Sequence, residues 1–236
     1  MNPASEPGSG PVPAAFDAVV LAGGAARRFG GADKVLLPVA GRSMLDRVVA
    51  ACVRAESVVV VGPERAVRVP PGMRLGWTRE TPPGSGPLAA VAAGLGAGSA
   101  AVVVVLAADM PLLDADVVRS LVAQLCRHPA DDGDDDVRDE RDERDERDER
   151  DERGGDTPVD AVLLLDADGR NQPLAAAYRR SALRRVLALL GDPRNQPMRL
   201  LTRNLRFATL PADRAARDCD TPQELAEADD LARRER

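Results

Sequence analysis

Aromatic residues are almost missing from this 236-residue chain: three Phe, one Trp and one Tyr make up 2% of it. Any core must therefore be built from Val, Leu and Ala, within an apolar fraction of 44%. Lysine is scarcer still, with Lys34 alone against 31 Arg. The Arg, Ala, Gly and Pro bias looks like that of a GC-rich genome and carries no functional meaning by itself. Cysteine is limited to Cys52, Cys126 and Cys219, an odd and widely spaced set without a CxxC pair, which argues against a disulfide framework and suits a reducing cytoplasm. Cys52 and Cys126 sit among apolar residues and are expected to be small buried hydrophobes. The longest apolar runs, such as 100–108, are strand length and far short of the roughly 20 residues of a membrane span. Residues 1–13 are rich in Pro, Gly and Ser and lack the apolar stretch of a signal peptide.

The net charge of −6 is unevenly spread. Residues 131–156 hold sixteen acidic and six basic side chains, a net of −10, which leaves +4 on the remainder. A mildly basic body suits an anionic small molecule, whereas +4 is too weak to argue for nucleic acid.

Along the chain, residues 1–14 read as a disordered leader, and 15–236 as one domain with a charged interruption. Apolar runs at 16–22, 57–61, 101–107 and 159–165 predict buried strands, and 74–78 and 172–178 predict further ones. Amphipathic stretches predict helices at 43–54 with Ser43 as N-cap, 87–98 with Pro in its first turn, 115–127, 180–190, 196–204 and 221–233. Alternating β and α with fully apolar strands implies an α/β fold whose parallel sheet is covered on both faces. The turn at 166–169 gives the only hairpin-like unit, so the sheet is expected to be mixed near its edge. Residues 138–153 repeat Arg-Asp-Glu. This repeat sets like charges at every i,i+3 pair and uses Asp, a poor helix former. The segment 130–156 therefore reads as a solvated, disordered insertion, with an interaction tail for a protein partner as the alternative.

Four segments carry chemistry. The loop 22–34, Ala-Gly-Gly-Ala-Ala-Arg-Arg-Phe-Gly-Gly-Ala-Asp-Lys, follows the first buried strand, the place where doubly wound sheets bind ligands. Its paired glycines Gly23 and Gly24 let backbone N–H groups turn toward a triphosphate, and Arg27, Arg28 and Lys34 add positive charge. A lysine kept here offers a compact ammonium on a flexible stem rather than a planar fork. The loop has neither the Gly-Lys-Ser/Thr of a P-loop nor GxGxxG spacing. In the second segment, Asp109-Met-Pro111, an Asp directly after an apolar strand reaches the same sheet edge if the strands are parallel. It is a natural Mg²⁺ ligand facing bound phosphates, and Asp114 is better placed to cap the next helix. The third, 81–94, contains Gly84-Ser-Gly-Pro-Leu-Ala89, a weak dinucleotide match better read as a backbone cradle for a nucleoside. Glu80 beside it is available to accept from the N–H groups of a base. In the fourth, Asp218-Cys-Asp-Thr-Pro-Gln-Glu224, Asp220 or Thr221 can cap the last helix, and a carboxylate here can also serve the same Mg²⁺.

Taken together, these segments resemble the MobA-like nucleotidyltransferases, the molybdenum cofactor guanylyltransferase family. The resemblance rests on Leu21–Lys34, Gly86-Pro-Leu-Ala-Ala90, Asp109-Met-Pro111, Gln172-Pro-Leu174 and Asp218–Leu225, and covers about 16–230 without the charged insertion. It implies a three-layer α/β/α Rossmann-like nucleotidyltransferase fold with a mostly parallel, partly mixed sheet. It also implies that Leu21, Ala22, Gly23, Gly24 and Lys34 hold the nucleotide, that Asp109 binds nucleotide-chelated Mg²⁺ with Asp220 as a second ligand, and that Glu80 recognises guanine. Lys34, Arg28 and Asp109 are then the catalytic group. Two positions depart from the pattern: Gly62 stands where some relatives use Asn, and Asp218 and Asp220 stand where Asn is usual.

The activity implied is transfer of GMP from GTP to the phosphate of molybdopterin with release of pyrophosphate. A phosphate monoester has a second pKa near ~6, so the nucleophile is already ionised, in keeping with a chain whose single histidine is His128. The alternatives are a related cytidylyl- or sugar-phosphate nucleotidyltransferase, or a non-catalytic nucleotide-binding adaptor that holds its partner through the charged insertion.

Overall fold

The computed structural model describes residues 14–23, 32–128 and 157–234. Apart from Ala14, the expected leader lies outside the described residues. So does the charged insertion, together with Gly24, Arg27 and Arg28 of the glycine loop. In chain order the elements are β1 (Phe16–Leu21), a 3-10 turn (Lys34–Leu36), β2 (Pro38–Val39), β3 (Arg42–Ser43), α1 (Met44–Ala51), β4 (Ser57–Val61) and β5 (Leu75–Thr78). There follow α2 (Pro87–Leu95), β6 (Val102–Ala107), α3 (Ala115–Arg127), β7 (Ala161–Leu165), β8 (Asn171–Arg179), α4 (Arg180–Leu190), α5 (Arg199–Arg203), β9 (Phe207–Pro211) and α6 (Pro222–Arg233).

Among the described residues, seven strands form one sheet in the order β5-β4-β1-β6-β8-β7-β9. β5, β4, β1 and β6 are parallel, β8 is antiparallel to both of its neighbours, and β9 is parallel to β7. The fold is thus α/β with a mostly parallel, mixed sheet.

Side chains alternate across a pleated strand, and the apolar runs accordingly feed two cores. Ala18, Val20, Val58, Val60, Val104 and Leu106 meet Leu45 and Val48 of α1, Cys52 at its C-cap, and Leu121 and Leu125 of α3. Val19, Leu21, Val59, Val61, Val103 and Val105 meet Leu88 and Val91 of α2 and Leu183 and Val186 of α4. Each such Val or Leu contributes about 1.5–3 kcal/mol by leaving water. A third cluster seats α6, through Ala228 and Ala232, on Val39, Ala40, Met44 and Leu112.

Capping chemistry sets the helix starts. Ser43 Oγ accepts from Asp46 N–H at 3.0 Å, and Asp114 accepts from Asp116 and Val117 N–H. At α6 the two candidates separate: Thr221 is the N-cap in a full capping box with Glu224, which leaves Asp220 outside the cap.

Two expectations are corrected, and one strand, β9, is added to those expected. The β2–β3 pair is a second hairpin, invisible as an apolar pattern because each strand is two residues long. β9 lies on the sheet edge with most of its residues partly exposed, so it lacks the apolar run that marks the central strands. Cys126 is exposed: the buried stripe of α3 runs through Val118, Leu121, Val122 and Leu125, and position 126 falls beside it.

Two arginines organise the amino edge of the sheet. Arg180 is buried and pairs with Asp17 at 2.6 Å. It also donates to the carbonyls of Ala100 (2.6 Å) and Leu95 (2.8 Å), while Asp17 accepts from Ser57 Oγ and Ala100 N–H. This pair has the extra hydrogen bonds that a buried ion pair needs. Arg179 donates to the carbonyls of Leu125 (3.3 Å) and His128 (2.7 Å), and to that of Val159 (2.9 Å). One guanidinium thereby joins the chain just before residues 129–156 to the chain just after them. Among the described residues no helix is long and apolar enough to cross a membrane.

Candidate functional site

Because β5, β4, β1 and β6 are parallel, their carboxyl ends open on one edge, and the segments singled out above leave from it. Leu21 is in register with Val61 and Ala107. The ladder continues one residue further: Ala22 N–H donates to Val61 O, Ala108 N–H to Leu21 O, and Gly62 N–H to Thr78 O, each at 2.9 Å. Ala22-Gly23, Gly62 and Asp109 are therefore held at one level, with Glu80 two residues beyond β5.

At the centre of this edge is Lys34. It opens the 3-10 turn, and its Nζ donates to Asp109 Oδ2 at 2.7 Å and to Asp220 Oδ1 at 2.5 Å. Asp220 is delivered by two backbone devices: Cys219 N–H donates to the Asp109 carbonyl at 3.0 Å, and the Thr221 cap starts α6 directly afterwards. Burial works to lower the Lys34 pKa, but the hydrogen bonds and charges of Asp109 and Asp220 outweigh it and raise the value above 10.5. The ammonium is thus fully charged at neutral pH. Asp218 stands on the exposed rim nearby. Partial burial, then the charges of Asp220 and Asp109, push its carboxyl above the ordinary carboxylate range. Three carboxylates around one ammonium leave an excess of negative charge among the described residues of this edge.

Of the other residues expected to hold a nucleotide, Leu21 is buried in the core and its carbonyl is used by Ala108. Ala22 is buried too, with its N–H on Val61 and its carbonyl on Arg65. Gly23 is exposed, and a Cβ added there would meet nothing within 4 Å. Of Leu21, Ala22 and Gly23, Gly23 is the exposed one. Glu80 is 9% exposed, and its Oε1 accepts from Gly84 N–H at 2.8 Å, so one oxygen shapes the Gly84-Ser85-Gly86 turn. That turn is braced from outside by Asn195, whose N–H donates to Ser85 O at 2.7 Å. Lys34, Asp109 and Asp220 are brought into contact, whereas Glu80 lies toward the β5 side of the same edge.

Gly62 has φ +150°, and a Cβ there would lie 2.9 Å from the Ala22 carbonyl oxygen. The departure from Asn at this position therefore goes with a close backbone approach that only Gly allows. Two arginines carried no sequence signal because their partners are backbone oxygens or distant side chains. Arg47 Nε donates to the Pro111 carbonyl at 2.5 Å, tying α1 to the loop that carries Asp109. Arg65 grips Asp33 and Ala22.

Mg²⁺ takes oxygen ligands, commonly one or two carboxylates completed by substrate phosphates and water. Asp109 and Asp220 fit that donor set, since their oxygens already converge on a single cationic atom, the Lys34 ammonium. Among the described residues no group of three or more His, Cys, Asp or Glu is gathered for a metal.

Residues 18–208 match the model of the MobA-like NTP transferase domain. The molybdenum cofactor guanylyltransferase of Mesorhizobium japonicum is 38% identical over 120 residues, 47% of this chain and 56% of that protein. The protein of the same name from Acidiphilium cryptum is 46% identical over 83 residues, 33% of this chain and 40% of its own length. The chain thus spans about half the length of the relatives it matches. Among solved structures, the molybdopterin-guanine dinucleotide biosynthesis protein A of Archaeoglobus fulgidus superposes with a TM-score of 0.60 at 19% identity, covering 92% of this chain and 99% of that one, a likeness of fold.

Proposed function

The chain belongs to the MobA-like NTP transferase family, and on that premise we propose that it is a nucleotidyltransferase that moves GMP from GTP to the phosphate of molybdopterin, releasing pyrophosphate. The observation that carries this reading is the Lys34 ammonium set between Asp109 and Asp220 at the carboxyl edge of the sheet. A triphosphate arriving beside three carboxylates meets repulsion unless cations accompany it. Lys34 supplies one such charge, and Asp109 and Asp220 are the residues that would hold a divalent ion. Bound there, Mg²⁺ would neutralise phosphate charge during the transfer.

A phosphate oxygen of the acceptor attacks the α-phosphorus of GTP. One P–O bond forms, the bond to the bridging oxygen of the β-phosphate breaks, and pyrophosphate leaves with that electron pair. The acceptor is ionised at neutral pH, so no side chain has to remove a proton. The protein contributes position and charge: the Gly23 N–H faces the phosphates, Lys34 moves from carboxylate to phosphate oxygens, and Glu80 meets the base. Arg28 adds a second charge from the glycine loop.

Pyrophosphate release with molybdopterin as acceptor tests this, with GTP, CTP, ATP and UTP supplied in competition. Preferential use of GTP is the expected result. Turnover of CTP alone would remove the guanylyl assignment, and no turnover with any NTP would remove nucleotidyl transfer.

A further inference from the structure

Arg65 lies in the segment between β4 and β5, away from the four chemistry-bearing segments, yet its guanidinium reaches both ends of the first of them. Nε and Nη2 donate to the two oxygens of Asp33 at 2.5 and 3.1 Å, and Nη1 donates to the carbonyls of Ala22 and Pro63, each at 3.0 Å. The side chain is only 9% exposed. The Asp33 contact is a fork on a carboxylate, the geometry that a guanidinium makes and an ammonium does not.

Each contact fixes a neighbour. In a trans peptide the C=O and the following N–H point in opposite directions. By taking the Ala22 carbonyl, Arg65 thus turns the Gly23 N–H the other way, on the stretch that Gly62 also packs against. At the other end, Asp33 precedes the 3-10 turn opened by Lys34, but its carboxylate makes no capping bond there; it is directed to Arg65 instead. Lys34 then reaches Asp109 and Asp220 from a fixed starting point.

We propose that Arg65 is a positioning residue for nucleotide binding: it pins Ala22 and Asp33, one on each side of residues 24–31, and so aims the Gly23 N–H and the Lys34 ammonium at one phosphate group. The inference rests on the nucleotidyltransferase reading for its ligand, although the clamp itself does not.

Calorimetric binding of GTP with Mg²⁺ to the full chain is measured for wild type, Arg65→Lys, Arg65→Gln, Asp33→Asn and the Arg65→Gln/Asp33→Asn double variant. The expected result is affinity about tenfold weaker for Arg65→Lys and Arg65→Gln, with melting temperatures close to wild type. Retention of charge by Lys should give no rescue. Asp33→Asn turns one of the two accepting oxygens of a half-exposed side chain into an NH2 donor and removes its charge, which breaks the fork; it should weaken binding as well, and the double variant should be no worse than Arg65→Gln, as expected for two members of one contact. Wild-type affinity in Arg65→Lys, or additive losses in the double variant, would overturn the clamp. If wild type does not bind GTP, the functional reading fails instead. Hydrogen exchange of the peptide spanning Leu21–Gly23 then decides the clamp: faster exchange in Arg65→Gln and Asp33→Asn supports it, and unchanged exchange overturns it.

Discussion

Lys34 and Asp220 are 186 positions apart in the chain, and their charged atoms are 2.5 Å apart. The approach is assembled from three unrelated local devices: a turn that opens at Lys34, a backbone bond from Cys219 to Asp109, and a capping box that starts α6. Asp109, two residues beyond β6, completes the group from a third part of the chain at 2.7 Å. An ammonium held between two carboxylates is preorganised, because its place is fixed from two sides before any ligand arrives.

Replacing Lys34 with Arg keeps the charge and changes its shape. The planar fork is bulkier than an ammonium and binds in a fixed geometry. Turnover in the pyrophosphate-release assay should fall about 10²-fold or more, the scale of losing one electrostatic stabiliser. Near-wild-type rates in Lys34→Arg would show that the compact ammonium is not required.

Asp109→Asn and Asp220→Asn each remove one of the two carboxylates that converge on the ammonium. Both variants should need higher Mg²⁺ for half-maximal rate, and Asp109→Asn, the more buried of the two, should lose more of the maximal rate, about 10²–10³-fold. Chelation with EDTA should abolish wild-type turnover, and added Mg²⁺ should restore it. A Mg²⁺ titration identical to wild type in both variants would exclude these residues as its ligands.

The raised pKa of Lys34 has a consequence for stability. The folded state holds this proton more tightly than the unfolded chain, where the value is 10.5. The stabilisation is therefore present in full below pH 10.5 and is lost as pH rises through the folded value. Urea unfolding between pH 8 and pH 12 should show a larger alkaline loss of stability in wild type than in Lys34→Met. Parallel curves for the two proteins would contradict the ion-pair account.

At the opposite edge, Arg180→Met leaves Asp17 as a buried carboxylate without its partner. Stability should drop by about 3–5 kcal/mol, the usual cost of breaking such a pair. Nucleotide affinity per folded molecule should be unchanged, because the pair lies at the amino edge of β1, away from Lys34. Equal stability by chemical denaturation would mean that the pair is replaceable at no cost.

The central strands were legible because burial on both sheet faces writes itself as uninterrupted Val and Leu, as in 102–106 and 58–61. The helices were legible from their caps, Ser43 and Asp114 above all. What escaped had no local pattern. The two-residue strands at 38–39 and 42–43 are too short for any periodicity, and β9 is a partly exposed edge strand. Cys126 shares a neighbourhood with apolar residues and still faces out, since one position on a helix turns the side chain by about 100°. Lys34 and Asp109 could be singled out by type and place in the chain. The contacts of Arg65, Arg47 and Asp220 exist only once parallel strands have aligned their ends.

The neck closed by Arg179 gives this fold an access port. Since one guanidinium already clasps Leu125, His128 and Val159, the described chain ends at 128 and resumes at 157 on the sheet edge opposite Lys34. Excising 129–156 for a short Gly-Ser linker, or splicing a fluorescent reporter in its place, should leave the melting temperature and pyrophosphate release within about twofold of wild type, as loop closure costs change slowly with length. A large loss in the linker variant would mean that the acidic segment takes part in the reaction. Retention would make this a scaffold that carries cargo on one edge while working at the other.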